Sequence, residues 1–212
     1  MPLKTCRDLV PARKDSPLRK ALLIVDVQND FCPGGALAVP NGDQVIEPLN
    51  KMMGHANNKN GRILASRDWH SRNNKKHFSK WPPHCIQNTP GAEFHPLLQL
   101  PTRAFTISKG YTNEDDGYSL FEGVYIRKDD WPLSAGSLLY GFNEICVGGL
   151  ATDYCVKATC LDAVKLGYKV YLLTDACRAV NLKPTDEADA LEEMRQAGII
   201  FTTTDQVISE SR

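Results

Sequence analysis

Six short apolar runs, at residues 21–25, 62–66, 103–108, 145–150, 168–174 and 199–204, recur along the chain, and several are followed by helix-like segments. This alternation limits the fold more than any other feature. Parallel neighbours need crossover connections, and the helices that supply them cover both faces of the sheet. The sequence therefore predicts an α/β fold, a three-layer α/β/α sandwich on a mostly parallel sheet of about six strands. Helices are expected at 44–58, 133–140, 153–166 and 185–197. In the third, Val156, Thr159, Cys160, Ala163, Val164 and Leu166 follow a one-sided helical spacing, and Gly167 is the stop signal. A chain of 212 residues is long enough for one well-buried domain and short for two. That domain is expected at 20–212, with 1–19 a loose N-terminal extension.

Twenty-five basic residues balance twenty-five acidic ones, so no overall field draws the chain to nucleic acid or an anionic membrane. A small soluble substrate fits better, and assembly into a homo-oligomer is left open. The longest apolar runs, 21–25 and 147–150, fall far below the roughly 20 residues that span a bilayer. The first residues contain no apolar stretch of a secretory signal, so a cytoplasmic location is expected. Seven cysteines, an odd count without tandem C-x-x-C pairs, read as free thiols. Cys146 and Cys160 sit in strand and helix patterns and read as small core hydrophobes.

Sheets of this kind place ligands outside the carboxyl ends of their strands. Polar residues just after a strand are therefore the first suspects: Asp26, Asp68 to His70, Lys109, and Ala151 to Cys155. The long stretches 69–91 and 110–131 exceed ordinary loop lengths, and the chemistry is expected between them. Cys155 falls in GGLATDYCVKATC, in the first turn of a helix, with Thr152 or Asp153 available as its cap. The positive end of a helix favours a thiolate, and the backbone amides of Ala151 and Cys155 are placed to form an oxyanion hole. A structural cysteine is the alternative. Asp26 interrupts an apolar strand, where a carboxylate is costly unless compensated. Lys109, ending AFTISKG, is the natural counter-charge, whether the pair serves chemistry or only holds loops.

Four of the five histidines fall at 70, 77, 84 and 95. If Asp68 to His70 stays extended, both side chains point to one face. One carboxylate and two or three imidazoles suit a divalent ion such as zinc, manganese or iron. The candidate ligands are Asp68, His70 and His84, with His77 as a further member and His95 ordering a loop. Exposed loop histidines are the alternative.

Together, LLIVDVQNDFCPGGALAV, SRDWH, HFS, WPPHCIQNTPGAEFHP, SKG, GYSLFEG and VGGLATDYCVKAT form a pattern that resembles the nicotinamidase/pyrazinamidase group of the isochorismatase-like hydrolases. The resemblance runs from about Lys20 to about Val207. It implies a catalytic triad of Asp26, Lys109 and Cys155, oxyanion amides at Ala151 and Cys155, and a cis peptide before Ala151. It also implies metal at Asp68, His70 and His84, with His77 in the matching HF position as a further ligand, and aromatic contacts to substrate from Phe31, Trp81 and Tyr118. The activity implied is cysteine-dependent hydrolysis of nicotinamide to nicotinic acid and ammonia through a thioester, in NAD salvage, with a divalent metal, zinc ahead of manganese or iron, and the pyridine nitrogen as its target. Two other readings remain: a carbamoyl-amine hydrolase on the same fold, and a metal-binding or thiol-sensing module without activity. The acidic segment 112–116 is where the chain departs most from the pattern.

Overall fold

The computed structural model describes residues 20–126 and 131–210. The expected extension at 1–19 lies outside the described residues. Eight strands form one sheet: β1 (Lys20–Val25), β2 (Arg62–Asp68), β3 (Phe105–Lys109), β4 (Val124–Ile126), β5 (Pro132–Ser134), β6 (Glu144–Leu150), β7 (Lys169–Arg178) and β8 (Ile200–Thr202). Their order is β5-β4-β3-β2-β1-β6-β7-β8. The six strands read from the sequence are the six that pair in parallel. The count of about six is corrected to eight, because β4 and β5 add an antiparallel edge beside β3. Each is only three residues long, too short for a period of two to stand out.

Period-two alternation in β1 explains the layers. Leu22 and Ile24 face a core closed by Leu49, Met52 and Met53 of α1 (Ile46–Asn58) and by Val207 of α6 (Thr204–Glu210). Leu23 and Val25 face the opposite core, closed by α3 (Ala135–Leu138), α4 (Lys157–Lys165) and α5 (Asp186–Gln196). A further short helix, α2 (Lys75–Phe78), lies in the long stretch after β2. The helix expected at 133–140 is corrected: Leu133 belongs to β5, and only four residues of α3 follow. Ser134 starts that helix by accepting a hydrogen bond from the Ser137 N–H at 3.2 Å. Cys146 and Cys160 are fully buried apolar residues, as read. No helix among the described residues is long and apolar enough to cross a membrane.

Strand order reverses at β1, which has β2 on one side and β6 on the other. Such a switch point opens a crevice at the strands' carboxyl ends. Asp26 follows β1, Asp68 ends β2, Lys109 ends β3, and Cys155 lies five residues beyond β6. The topology alone brings all four to one place. Close approach of β6 to β1 requires Gly149: a Cβ there would sit 2.0 Å from the Val25 carbonyl oxygen, and its φ is +133°.

Candidate active site

Asp26 is the first residue past β1 and adopts φ +49°, a left-handed conformation costly for a residue with a side chain. The kink turns its carboxylate back into the crevice, where it is fully buried. The Ser66 hydroxyl donates to it at 2.7 Å, and the Lys109 ammonium lies 2.8 Å from its other oxygen. Lys109 is 0% exposed and also contacts Asp68, which the register of β2 and β3 places directly beside it. Its Nζ is 3.5 Å from the Cys155 sulfur. Atoms of Asp26, Asp68 and Cys155 lie within 4.8 Å of one another.

Two buried carboxylates thus share one ammonium, and they divide it unequally. Burial, only partly offset by Lys109, pushes the Asp26 carboxyl up to about 6. Asp68 is equally buried, but Lys109 together with His70 and His84 holds it well below the usual carboxylate range. Burial alone would push Lys109 down, yet Asp26 and Asp68 carry it well above the ordinary lysine value. The Cys155 thiol goes well above its ordinary value, because burial outweighs the pull of Lys109 and Asp26 adds to the rise. That rise outweighs the pull of the helix end toward a thiolate. Burial thus favours the thiol over the thiolate, next to a carboxylate that can take its proton.

Cys155 sits in a five-residue π-helical turn, Thr152–Val156, between β6 and α4. The peptide before Ala151 is cis, as the resemblance implied. Neither Thr152 nor Asp153 caps the turn by a side-chain hydrogen bond. Asp153 instead accepts from the N–H groups of Val180 and Asn181 at 3.0 and 2.9 Å, which fastens the turn to the segment after β7. π-turns of this kind recur at functional sites.

His70, His77 and His84 converge from three pieces of backbone. Pairing of His70 with Ile86 brings the strand end and the His84 loop together, and α2 delivers His77. The Asn74 side chain fixes that helix by accepting from the His77 N–H at 3.0 Å. One nitrogen from each ring falls within 4.8 Å of the other two. Nδ1 of His70 donates to the Gly110 carbonyl at 3.1 Å, and Nδ1 of His84 to the Pro82 carbonyl at 2.8 Å. Since a carbonyl can only accept, both Nε2 lone pairs face inward. Nε2 of His70 and of His77 are buried without any hydrogen-bond partner, a costly state for acceptors unless a cation satisfies them. Asp68 lies 3.5 Å from Nε2 of His70 and 3.7 Å from that of His84. Burial pushes the His77 imidazole down to about 4, which keeps it neutral. Neutral imidazoles around a carboxylate are the donor set of a divalent metal, and the residues present fit one. His77 belongs to the cluster as fully as His70 and His84.

Between Cys155 and the histidines His77 and His84 lies a narrow cavity of about 40 Å³. Phe31, Trp81 and Tyr118 all line it, as the resemblance implied. The Trp81 indole N–H donates to the Tyr118 hydroxyl at 3.0 Å. The sequence reading missed Tyr154, whose ring meets Trp81 edge-on at 5.0 Å, as well as Leu37, Val39 and Val180. It also missed Ser66 beneath Asp26. Tyr154 adjoins Cys155, and Ser66 shares the strand face of Asp68, so both had a positional signal; the aliphatic wall had none. His95 orders a loop, as expected, by accepting from the Leu97 N–H.

Residues 20–122 and 137–206 match the Isochorismatase domain family. The chain is 41% identical over 206 residues to a nicotinamidase of Escherichia coli, a match covering 87% of this chain and 94% of that protein. It is 39% identical over 188 residues to a nicotinamidase/pyrazinamidase of Mycobacterium tuberculosis, covering 85% and 96%. Among solved structures, a pyrazinamidase of Pyrococcus horikoshii in complex with zinc superposes with a TM-score of 0.77 at 43% identity, covering 87% of this chain and 99% of that one.

Proposed function

This chain belongs to the isochorismatase domain family, and on that premise we propose that it hydrolyses nicotinamide to nicotinate and ammonia, a step of NAD salvage. The observation that carries the reading is the contact of Lys109 with both Asp26 and the sulfur of Cys155, a residue that lines the same cavity as His77 and His84. Free thiols at all six described cysteines agree with action in the cytoplasm.

In the mechanism we assign, Asp26 accepts the Cys155 proton as the sulfur attacks the carboxamide carbon. The amides of Ala151 and Cys155 hold the developing oxyanion, each such donor contributing about 3 kcal/mol. Asp26 returns the proton to the departing ammonia, which leaves a thioester on Cys155. It then takes a proton from water as that water attacks, and the thiolate is expelled and reprotonated with release of nicotinate. Lys109 stays charged throughout and keeps Asp26 ionised, so that it is free to accept a proton in each half of the reaction. Phe31, Trp81 and Tyr118 hold the pyridine ring. His70, His77, His84 and Asp68 would hold the metal, for which we propose zinc, and the chemistry it supplies is Lewis-acid coordination of the ring nitrogen.

Asp26 must be ionised to act, so kcat/KM should fall about tenfold per unit as pH drops below about 6 and level off above it. A profile flat down to pH 4.5 contradicts the assigned base.

Ammonia release from nicotinamide, compared with benzamide before and after chelation, tests the reading as a whole. Benzamide carries a C–H where nicotinamide offers its ring nitrogen, so the loaded protein should prefer nicotinamide by about 10³- to 10⁴-fold in kcat/KM. Chelation should collapse that ratio. Equal hydrolysis of both amides defeats the metal's assigned role, and absence of ammonia from either defeats the proposal.

A further inference from the structure

The acidic segment 112–116 is the stretch that the family pattern does not explain, and it lies against α2. The Asn74 side chain donates to the carbonyls of Thr112 and Asp115 at 3.1 and 2.8 Å, and Lys76 donates to that of Glu114 at 2.9 Å. Asp116 is held by Lys80 at 2.8 Å through one carboxylate oxygen. Its other oxygen lies 3.4 Å from Nδ1 of His77. Each of the three clustered histidines therefore has its Nδ1 against an outer acceptor, but only His77 uses a side chain from this segment. An ionised carboxylate accepts only, so the His77 ring carries its proton on Nδ1 and turns the buried, unpartnered Nε2 inward. Lys80 and His77 both hold the Asp116 carboxyl below its usual range, Lys80 more strongly, so it stays an acceptor.

We infer that Asp116 is a positioning residue: it fixes the tautomer and orientation of His77, and so sets how tightly the histidine cluster takes up a divalent cation. An outer carboxylate bound to a metal-ligating imidazole typically contributes on the order of 10- to 100-fold in metal affinity. The same segment runs on to Gly117, whose carbonyl accepts from Lys109, and to Tyr118 against Trp81. One stretch of chain thus touches the cation cluster, the charged triad and the aromatic wall, and Asp116 is its link to the first.

The inference rests on the metal reading above, and zinc titration against a chromophoric chelator separates the two. Failure of the wild-type protein to bind zinc defeats that reading. Zinc binding that is indifferent to Asp116 defeats only this inference. Asp116→Ala should weaken zinc binding by about 10- to 100-fold, and Asp116→Asn, which keeps an acceptor oxygen, should recover most of the loss. His77→Ala/Asp116→Ala should bind no more weakly than His77→Ala alone, because Asp116 acts through His77. A further loss in the double variant as large as that of Asp116→Ala in the wild-type background overturns the inference. Nitrogen NMR of the chelated wild-type protein gives a readout that needs no variant. His77 should show a protonated Nδ1 and a bare Nε2, and the reverse tautomer overturns the assignment.

Discussion

Cys155→Ala should lower kcat on nicotinamide by on the order of 10⁴- to 10⁶-fold, the loss typical of removing a nucleophile that works as part of a unit. The fold should barely notice. Cys155 packs at the edge of one core and also lines the cavity, with 8% of its surface exposed, so losing the sulfur enlarges an existing space more than it opens a new void. Cys146→Ala and Cys160→Ala should behave in the opposite way, because both sulfurs are fully buried in the two cores. These variants should keep most of the rate and lose about 1–2 kcal/mol of stability. Steady-state kinetics and thermal unfolding on the three proteins check the contrast. Turnover by Cys155→Ala within tenfold of wild type would rule out covalent catalysis at this residue.

Lys109→Ala should be damaging in both respects. It strands two buried carboxylates, Asp26 and Asp68, that now share its ammonium. Breaking a buried ion pair from one side costs about 3–5 kcal/mol, or a fall in Tm of roughly 10 °C for a domain of this size. Activity should fall as well, since an Asp26 that takes up a proton for want of its counter-ion cannot accept one from Cys155. Asp26→Asn should separate the two effects. The Asp26 carboxyl has a higher pKa in the fold, about 6, than its ordinary 3.8, so its ionised form disfavours folding. That penalty is absent below about pH 4, grows as pH rises to about 6 and is complete above. At pH 7.5 Asp26→Asn should thus be inactive yet melt no lower than wild type, and any margin should vanish towards pH 4. A Tm for Asp26→Asn as low as that of Lys109→Ala would show that the two residues act as a plain stabilising ion pair.

The chemistry-bearing residues were legible because they break local patterns. Asp26 interrupts an apolar strand, Lys109 ends one, and four histidines crowd one stretch of chain. The parallel strands were legible for the same reason, each being a run of apolar residues bounded by polar ones. Short antiparallel strands were not, since three residues such as Val124–Ile126 carry too little periodicity, and their pairing beside β3 is decided by tertiary contacts. The state of the thiol was legible only in part: a helix start favours a thiolate and a neighbouring Asp26 opposes it, and burial, the largest influence, has no local signature in the sequence. Asp116 stood in the acidic segment 112–116, where nothing in the sequence set it apart from its neighbours. Only three-dimensional contact with His77 and Lys80 singles it out from Glu114 and Asp115.

The account stands on a thioester at Cys155. Acid quenching within a single turnover of nicotinamide, followed by proteolysis and mass spectrometry, should find a nicotinoyl group on the peptide carrying Cys155, and hydroxylamine should remove it. The adduct should be absent from Cys155→Ala and should not form in Asp26→Asn. Ammonia release at the full rate with no acyl group on Cys155 at any time point, or with one on another cysteine, would contradict the assignment of Cys155 as the nucleophile.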